Sequence, residues 1–214
     1  MEKKLDVSGI VGHAFEPFTF DYTERDVALY ALAVGAPASV LDQAELQFVY
    51  ELSTLGFKAL PTFPVLYPTH MIDTILSGKL GSIEFNPMML VHGEQYLEIK
   101  AAIPTAGVIT CRPRISQIYD KGSGMLVITD APCYDEAGRE IAFNQSSMFI
   151  RGLGGFGGDR GPSAPAEAIP DRAPDAIARE QTADNQALIY RLCGDRNPLH
   201  ADPQMAAIGS FDRP

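Results

Sequence analysis

Positive charge is scarce in this sequence. Seventeen Lys and Arg face twenty-seven Asp and Glu, a formal net charge of −10 over 214 residues. Phosphate backbones and anionic lipid surfaces are gripped by clustered Lys and Arg, so this balance argues against a general nucleic-acid or anionic-membrane binder. It leaves room for a local basic pocket around one phosphorylated ligand. Cysteine is scarce too: Cys111, Cys133 and Cys193 are widely spaced and odd in number. They match no zinc or redox spacing and read as buried free thiols in a reducing, intracellular compartment. Long apolar runs are missing. A membrane span takes about 20 apolar residues, which no stretch supplies, and the opening "MEKKLDVSGIVGHAFEP" lacks the apolar core of a signal peptide. What remains, 46% hydrophobic and 21% charged residues, suits an ordinary soluble globular protein, long enough for one large domain or two small ones.

Along the chain, "TFDYTERDVALYALAVGA" holds a first helix. Thr23 can cap it with Asp26 three residues on, and Val27, Tyr30, Ala31 and Val34 fall on one apolar face. Gly35 and Pro37 end it. Residues 38–68 carry short apolar runs cut by Gly56, Pro61, Pro64 and Pro68, and a short helix is expected at 71–76. From His92 the pattern turns strand-like: residues 93–103, 107–119, 124–135 and 139–152 are rich in β-branched and aromatic side chains and are separated by turns such as "DKGSG" and "DEAG". Successive hairpins imply a four-stranded antiparallel meander, and a helix-bearing first half implies α+β with helix packed on one sheet face. Residues 152–174, "GLGGFGGDRGPSAPAEAIPDRAP", read as a flexible linker. The glycine run there does not open a helix, so it is not read as a phosphate loop. Beyond it "QTADNQALIYRLCG" reads as a helix capped by Thr182 and stopped by Gly194. His13, His70 and His92 are expected to be structural, Met88 and Met89 to be core, and Arg112 and Arg114 to lie on a solvated face.

The stretch "GDRNPLHADP" (194–203) sets an Asp, an Asn, a His and a second Asp within eight residues, stiffened by two prolines. Asp195 and His200 would point to different sides of a continuous helix. Gly194 and Pro198 make such a helix unfavourable, Asn197 before proline should be extended, and Asp202-Pro203 reads as an N-cap with proline at the first helical position. A tight turn can then bring a carboxylate and an imidazole to one water, an arrangement suited to proton transfer, with Asn197 orienting a partner. On spacing alone the ordinary alternative, a capped and solvated turn, has the better claim. A metal site from Asp195, His200 and Asp202 has a weaker one, because no further His or Cys pattern supports it.

The wider stretch "YRLCGDRNPLHADPQMA" (190–206) resembles the hydratase-2 motif of the MaoC-like family, which includes the (R)-specific 2-enoyl-CoA hydratases. The likeness runs through "YTERDVALYALAVGA", "FVYE", "LPTFPV", "VHGEQYLEI", "DKGSG" and "RGLGGFGG", in order and over nearly the whole chain. It implies an α+β hot-dog fold, an antiparallel sheet wrapped on a helix, with two such units per chain and acyl-CoA bound between them. By that resemblance residues 1–151 are a first hot-dog, 152–174 a linker and 175–214 the start of a second, catalytic one. Asp195 and His200 become the catalytic pair, and Asn197, Tyr30 and Glu51 become substrate-binding neighbours. No metal and no cofactor beyond the CoA of the substrate are implied. The reaction implied is reversible hydration of trans-2-enoyl-CoA to (3R)-3-hydroxyacyl-CoA, as in fatty acid β-oxidation. The alternatives are a dehydratase of another hydroxyacyl thioester and a non-catalytic acyl-CoA-binding or dimerisation module. The setting would be peroxisomal in a eukaryote and cytoplasmic in a bacterium. Two departures stand out. Ser210 occupies a position where the family usually has Gly, and the family continues beyond the position of Pro214. The second hot-dog is therefore expected to be cut short, with impaired hydration, and a homodimer is expected to cover the open face.

Overall fold

The computed structural model describes residues 7, 9–37, 39–163 and 168–214; the expectations for 1–6 and for the linker at 164–167 lie outside them. Strand β1 (Phe18–Tyr22) leads into helix α1 (Glu24–Ala33), then α2 (Gln43–Leu46), a 3-10 turn at Phe63–Leu66 and α3 (Met71–Leu76). A small hairpin of β2 (Lys79–Leu80) and β3 (Ile83–Glu84) precedes β4 (Leu90–Ile99), β5 (Gly107–Cys111), β6 (Arg114–Asp120), β7 (Gly124–Tyr134) and β8 (Glu140–Arg151). After a long irregular stretch come α4 (Gln186–Tyr190), 3-10 turns at Arg191–Cys193 and Pro198–His200, and α5 (Pro203–Ile208). No helix among the described residues is long and apolar enough to cross a membrane.

The main sheet is antiparallel, in the order β1-β5-β7-β8-β4, with β6 also on β7. β5 and β6 lie along the same edge of β7 and are separated by Arg112 and Pro113. Proline has no amide hydrogen to give a ladder, so one long strand of the sequence becomes two. The expected four-strand meander is corrected at one join. β4 pairs with β8 across nine residue pairs, so the chain crosses the sheet between β4 and β5 instead of turning back. Alternating patterns identify strands but not their neighbours. Within the main sheet, among the described residues, the hairpin connections are β6–β7 and β7–β8.

One face of the sheet carries the core in two parts. At one end Tyr22, Val27, Tyr30, Phe63, Tyr67, Ile109, Cys111 and Cys133 pack together, joining α1 and the Phe63–Leu66 turn to the strands. At the other end Ile10, Leu80 and Ile83 cover Ile115, Met125, Val127, Met148 and Ile150. Between them Asn144, 1% exposed, donates to the Pro64 carbonyl at 3.0 Å, so a buried amide ties the turn to the sheet.

α1 begins as the sequence indicates, with a capping box between Thr23 and Asp26. Val27, Tyr30 and Ala31 are buried, but Val34 lies just past the helix and is 42% exposed. α4 is shorter than expected. Asn185, not Thr182, precedes it, and the Gln186 side chain accepts from the Ala183 amide instead. Met88 and Met89 are exposed rather than core. The glycine run after β8 is not a free connector either: the amides of Gly155 and Gly157 bind the buried carboxylate of Asp120, as does that of Gly122. Glycine is required at Gly154, where a Cβ would overlap the Gly122 carbonyl.

Candidate active site

The loop from Gly194 to Pro203 is built from its own side chains. Gly194 sits at φ +123, a conformation open to glycine, and a Cβ there would press on Thr69. The Asp195 carboxylate accepts from the Asn197 amide at 3.1 Å, the Asn197 side chain from the Leu199 amide at 3.0 Å, and Asp202 from the Gln204 amide at 2.8 Å. Each is a short Asx-type bond spanning two residues. Together they shape two reversals within ten residues. Arg196 reaches across to Asp73 on α3 at 2.8 Å and fastens the loop to the sheet-bearing part of the chain.

The loop and α4 enclose a cleft of about 490 Å³ against the end of α1, lined by Ala33, Val34, Gln186, Ala187, Tyr190, Arg191, Asp195 and His200. Asp195 and His200 thus meet at one site although they are five apart in sequence. No hydrogen bond joins them among the described residues, and both side chains line the same cleft. α4 is held to α1 by the Gln186 side-chain amide, which donates to the Ala33 carbonyl at 3.1 Å.

Tyr190 forms part of the wall. Burial first, then Tyr30 and Asp195 close by, push its phenol up to about 12. It is a neutral hydroxyl at any ordinary pH and can donate a hydrogen bond. Its ring packs at a tilt against Tyr30, centroids 6.2 Å apart, and Tyr30 meets Phe63 edge-on at 5.6 Å. Tyr30 is itself buried, and burial raises its phenol as well. Cys193 lies beneath the loop, its thiol pushed up to about 11 by burial and by Asp26, and a protonated buried thiol is a poor nucleophile.

The five expected site residues are therefore distributed. Asp195 and His200 share the cleft, and Asn197 frames the loop between them. Tyr30 backs Tyr190 from the core. Glu51 lies elsewhere, in a second cleft of about 780 Å³ with Thr23, Arg25, Leu29, Leu32 and Ala106. α1 contributes to both clefts. Tyr190 and Arg191 line the first cleft and were not singled out from sequence. Their signal was present: both stand at the head of the same "YRLCGDRNPLHADP" stretch, five and four residues before Asp195. Among the described residues no group of three or more His, Cys, Asp or Glu is placed to hold a metal ion.

An antiparallel sheet of this order, with the loop from Gly194 to Pro203 docked beside its covering helix, is the MaoC-like hot-dog class. The family model described as the MFE-2 hydratase 2 N-terminal domain matches residues 20–152. The chain is 47% identical to the Probable enoyl-CoA hydratase 2 of Dictyostelium discoideum, over 98% of this chain and 70% of that relative. It is 43% identical to the Peroxisomal multifunctional enzyme type 2 of Mus musculus, over 96% of this chain but 28% of that much longer relative. Among solved structures, a MaoC-like dehydratase from Phytophthora capsici superposes with a TM-score of 0.83 at 33% identity, over 98% of this chain and 72% of that one. This chain belongs to the MFE-2 hydratase 2 family.

Proposed function

We propose that the cleft adds water reversibly to trans-2-enoyl-CoA, giving (3R)-3-hydroxyacyl-CoA, as a step of fatty acid β-oxidation. The observation that carries this reading is the convergence of Asp195 and His200 on one cleft with no bond between them. A water held by both is oriented by two acceptors. As its oxygen attacks C3, one of the pair takes a proton, and the carbon at C2 receives a proton as the double bond is lost. Acid–base help of this kind contributes typically 100- to 10,000-fold. Asn197 positions the loop, and the neutral Tyr190 hydroxyl can donate to a substrate oxygen. Tyr30 supports Tyr190 from behind, and Glu51 meets the ligand from the second cleft. The reading uses no metal and no cofactor apart from the CoA of the substrate itself.

The reverse direction, dehydration of a hydroxyacyl thioester at the same site, is the second reading, and the similar Phytophthora capsici protein is a MaoC-like dehydratase. Association into a homodimer is supported by β4. It pairs only with β8 among the described residues, and Val91, Tyr96 and Ile99 on it are exposed. Unpaired edges with apolar side chains seek partners. A peroxisomal setting in a eukaryote follows the mouse relative's name, and the cytoplasm is the counterpart in a bacterium.

The test is a hydration assay with crotonyl-CoA and a longer enoyl-CoA, followed by loss of the enoyl thioester absorbance. The expected product is oxidised by a (3R)-specific but not a (3S)-specific 3-hydroxyacyl-CoA dehydrogenase. Unchanged absorbance with both substrates overturns the reading. Light scattering tests the dimer.

A further inference from the structure

Cys111 and Cys133 are far apart in sequence and face each other in the fold. They are Cα partners in the β5–β7 ladder, both are fully buried, and their Sγ atoms are 3.5 Å apart. The neighbouring rung fixes their geometry. The Arg112 amide donates to the Pro132 carbonyl at 3.1 Å, and hydrogen-bonded rungs alternate with non-hydrogen-bonded ones along an antiparallel pair. Cys111 and Cys133 therefore occupy a non-hydrogen-bonded rung. Opposed Cα atoms there approach to about 4.5 Å, within the roughly 4.4–6.8 Å that a disulfide spans.

The pair also sits at the weakest seam of the sheet. β5 is joined to β7 by two residue pairs, whereas β6 is joined to the same strand by six. Pro113 interrupts the ladder between them. β1 depends on this seam too, because its ladder is with β5 alone among the described strands. Cys193 shares the core but has no facing sulfur among the described residues.

We propose that Cys111 and Cys133 form a reversible thiol–disulfide site that staples β5 to β7 when a low-molecular-weight disulfide, such as oxidised glutathione, acts as oxidant. One thiolate attacks the oxidant's S–S bond, forms a mixed disulfide and releases one reduced thiol. The second thiolate displaces the other half and closes the Cys111–Cys133 bond. The protein loses two electrons and two protons, and the oxidant becomes two thiols. The thiols are shielded in the closed sheet, so the reaction runs through local opening, and a two-rung seam is the part of the ladder that opens most readily. The bond encloses 22 residues of sequence separation. Closing a loop of that size constrains the unfolded chain. Two weak donations, from Cys111 to the Tyr67 carbonyl and from Cys133 to the Ala131 carbonyl, are given up in exchange.

The experiment incubates the whole native chain with oxidised glutathione at mildly alkaline pH. It is then denatured and alkylated, and its peptides are mapped by mass. A parallel sample oxidised in urea shows that the oxidant is active. The expected map has the Cys111 and Cys133 peptides linked, with Cys193 as the alkylated thiol. Cys193→Ala keeps the link, Cys111→Ala loses it, and dithiothreitol reverses it. The oxidised protein should melt higher by roughly 5–10 °C. Three alkylated thiols in the native sample beside an oxidised urea sample, a link through Cys193, or a midpoint that does not rise would each overturn the proposal.

Discussion

Two loops of this chain bind carboxylates with backbone amides, and they use them differently. Around Asp120 three glycine amides converge on both oxygens: Gly122 and Gly155 at 2.9 and 2.8 Å on one, Gly157 at 2.7 Å on the other. These bonds, led by that from Gly155, hold the carboxyl down at about 2. In the other loop Asp195 accepts one recorded bond, from Asn197 on Oδ1, while lining an open cleft with His200. A carboxylate saturated by donors stabilises its surroundings and has little capacity left for a ligand. A carboxylate with an oxygen free at a cleft keeps the capacity to bind a ligand, which the proposed water addition requires. Both loops are glycine-, proline- and Asp-bearing in sequence. What separates the saturated acid from the open one is how many amides reach it.

The comparison is broken most directly at the open carboxylate. Asp195→Ala or His200→Ala should lower enoyl-CoA hydration by at least about 100-fold, with the circular dichroism spectrum and melting midpoint close to those of the parent. Near-normal turnover in both variants would remove the proton-transfer role. At the saturated carboxylate the effect should move from rate to stability. Gly154→Ala forces a Cβ against the Gly122 carbonyl, and overpacking of this sort costs about 1–3 kcal/mol, measurable by urea denaturation with turnover per folded molecule preserved.

Asp120→Asn sharpens the same contrast through pH. A free Asp titrates near 3.9, while the folded chain holds this one at about 2. The ionised form therefore stabilises the fold above pH ~4, and that contribution is lost as pH falls towards 2. The melting midpoint of Asp120→Asn should be lower than the parent's at neutral pH, and the two should converge across that acid window. Parallel midpoints would show that the glycine amides do not favour the charge. The smallest effect belongs to Arg196→Ala. Arg196 and Asp73 are both more than half exposed, and such surface pairs contribute roughly 0–1 kcal/mol. A change beyond that in the urea midpoint would mean the loop depends on this contact more than on its own Asx bonds.

Local chemistry was legible in the residues themselves. Thr23 with Asp26 announced the start of α1, Asp202-Pro203 the start of α5, Gly194 and Pro198 the break between α4 and α5, and the apolar alternation after His92 the strands. Each depends on neighbours a few residues apart, so the sequence by itself determines it. Tertiary structure decided the rest, because it depends on which distant segments meet. β4 sits beside β8 rather than β5, since strand patterning carries no record of partner. The glycine run closes on Asp120 thirty-five residues upstream of Gly155. Glu51 and the Asp195–His200 pair fall into separate clefts because α1 supplies a wall to each. Cys111 and Cys133 meet because two strands pair in one register. Proximity created by folding, not spacing along the chain, sets which of these groups can act together.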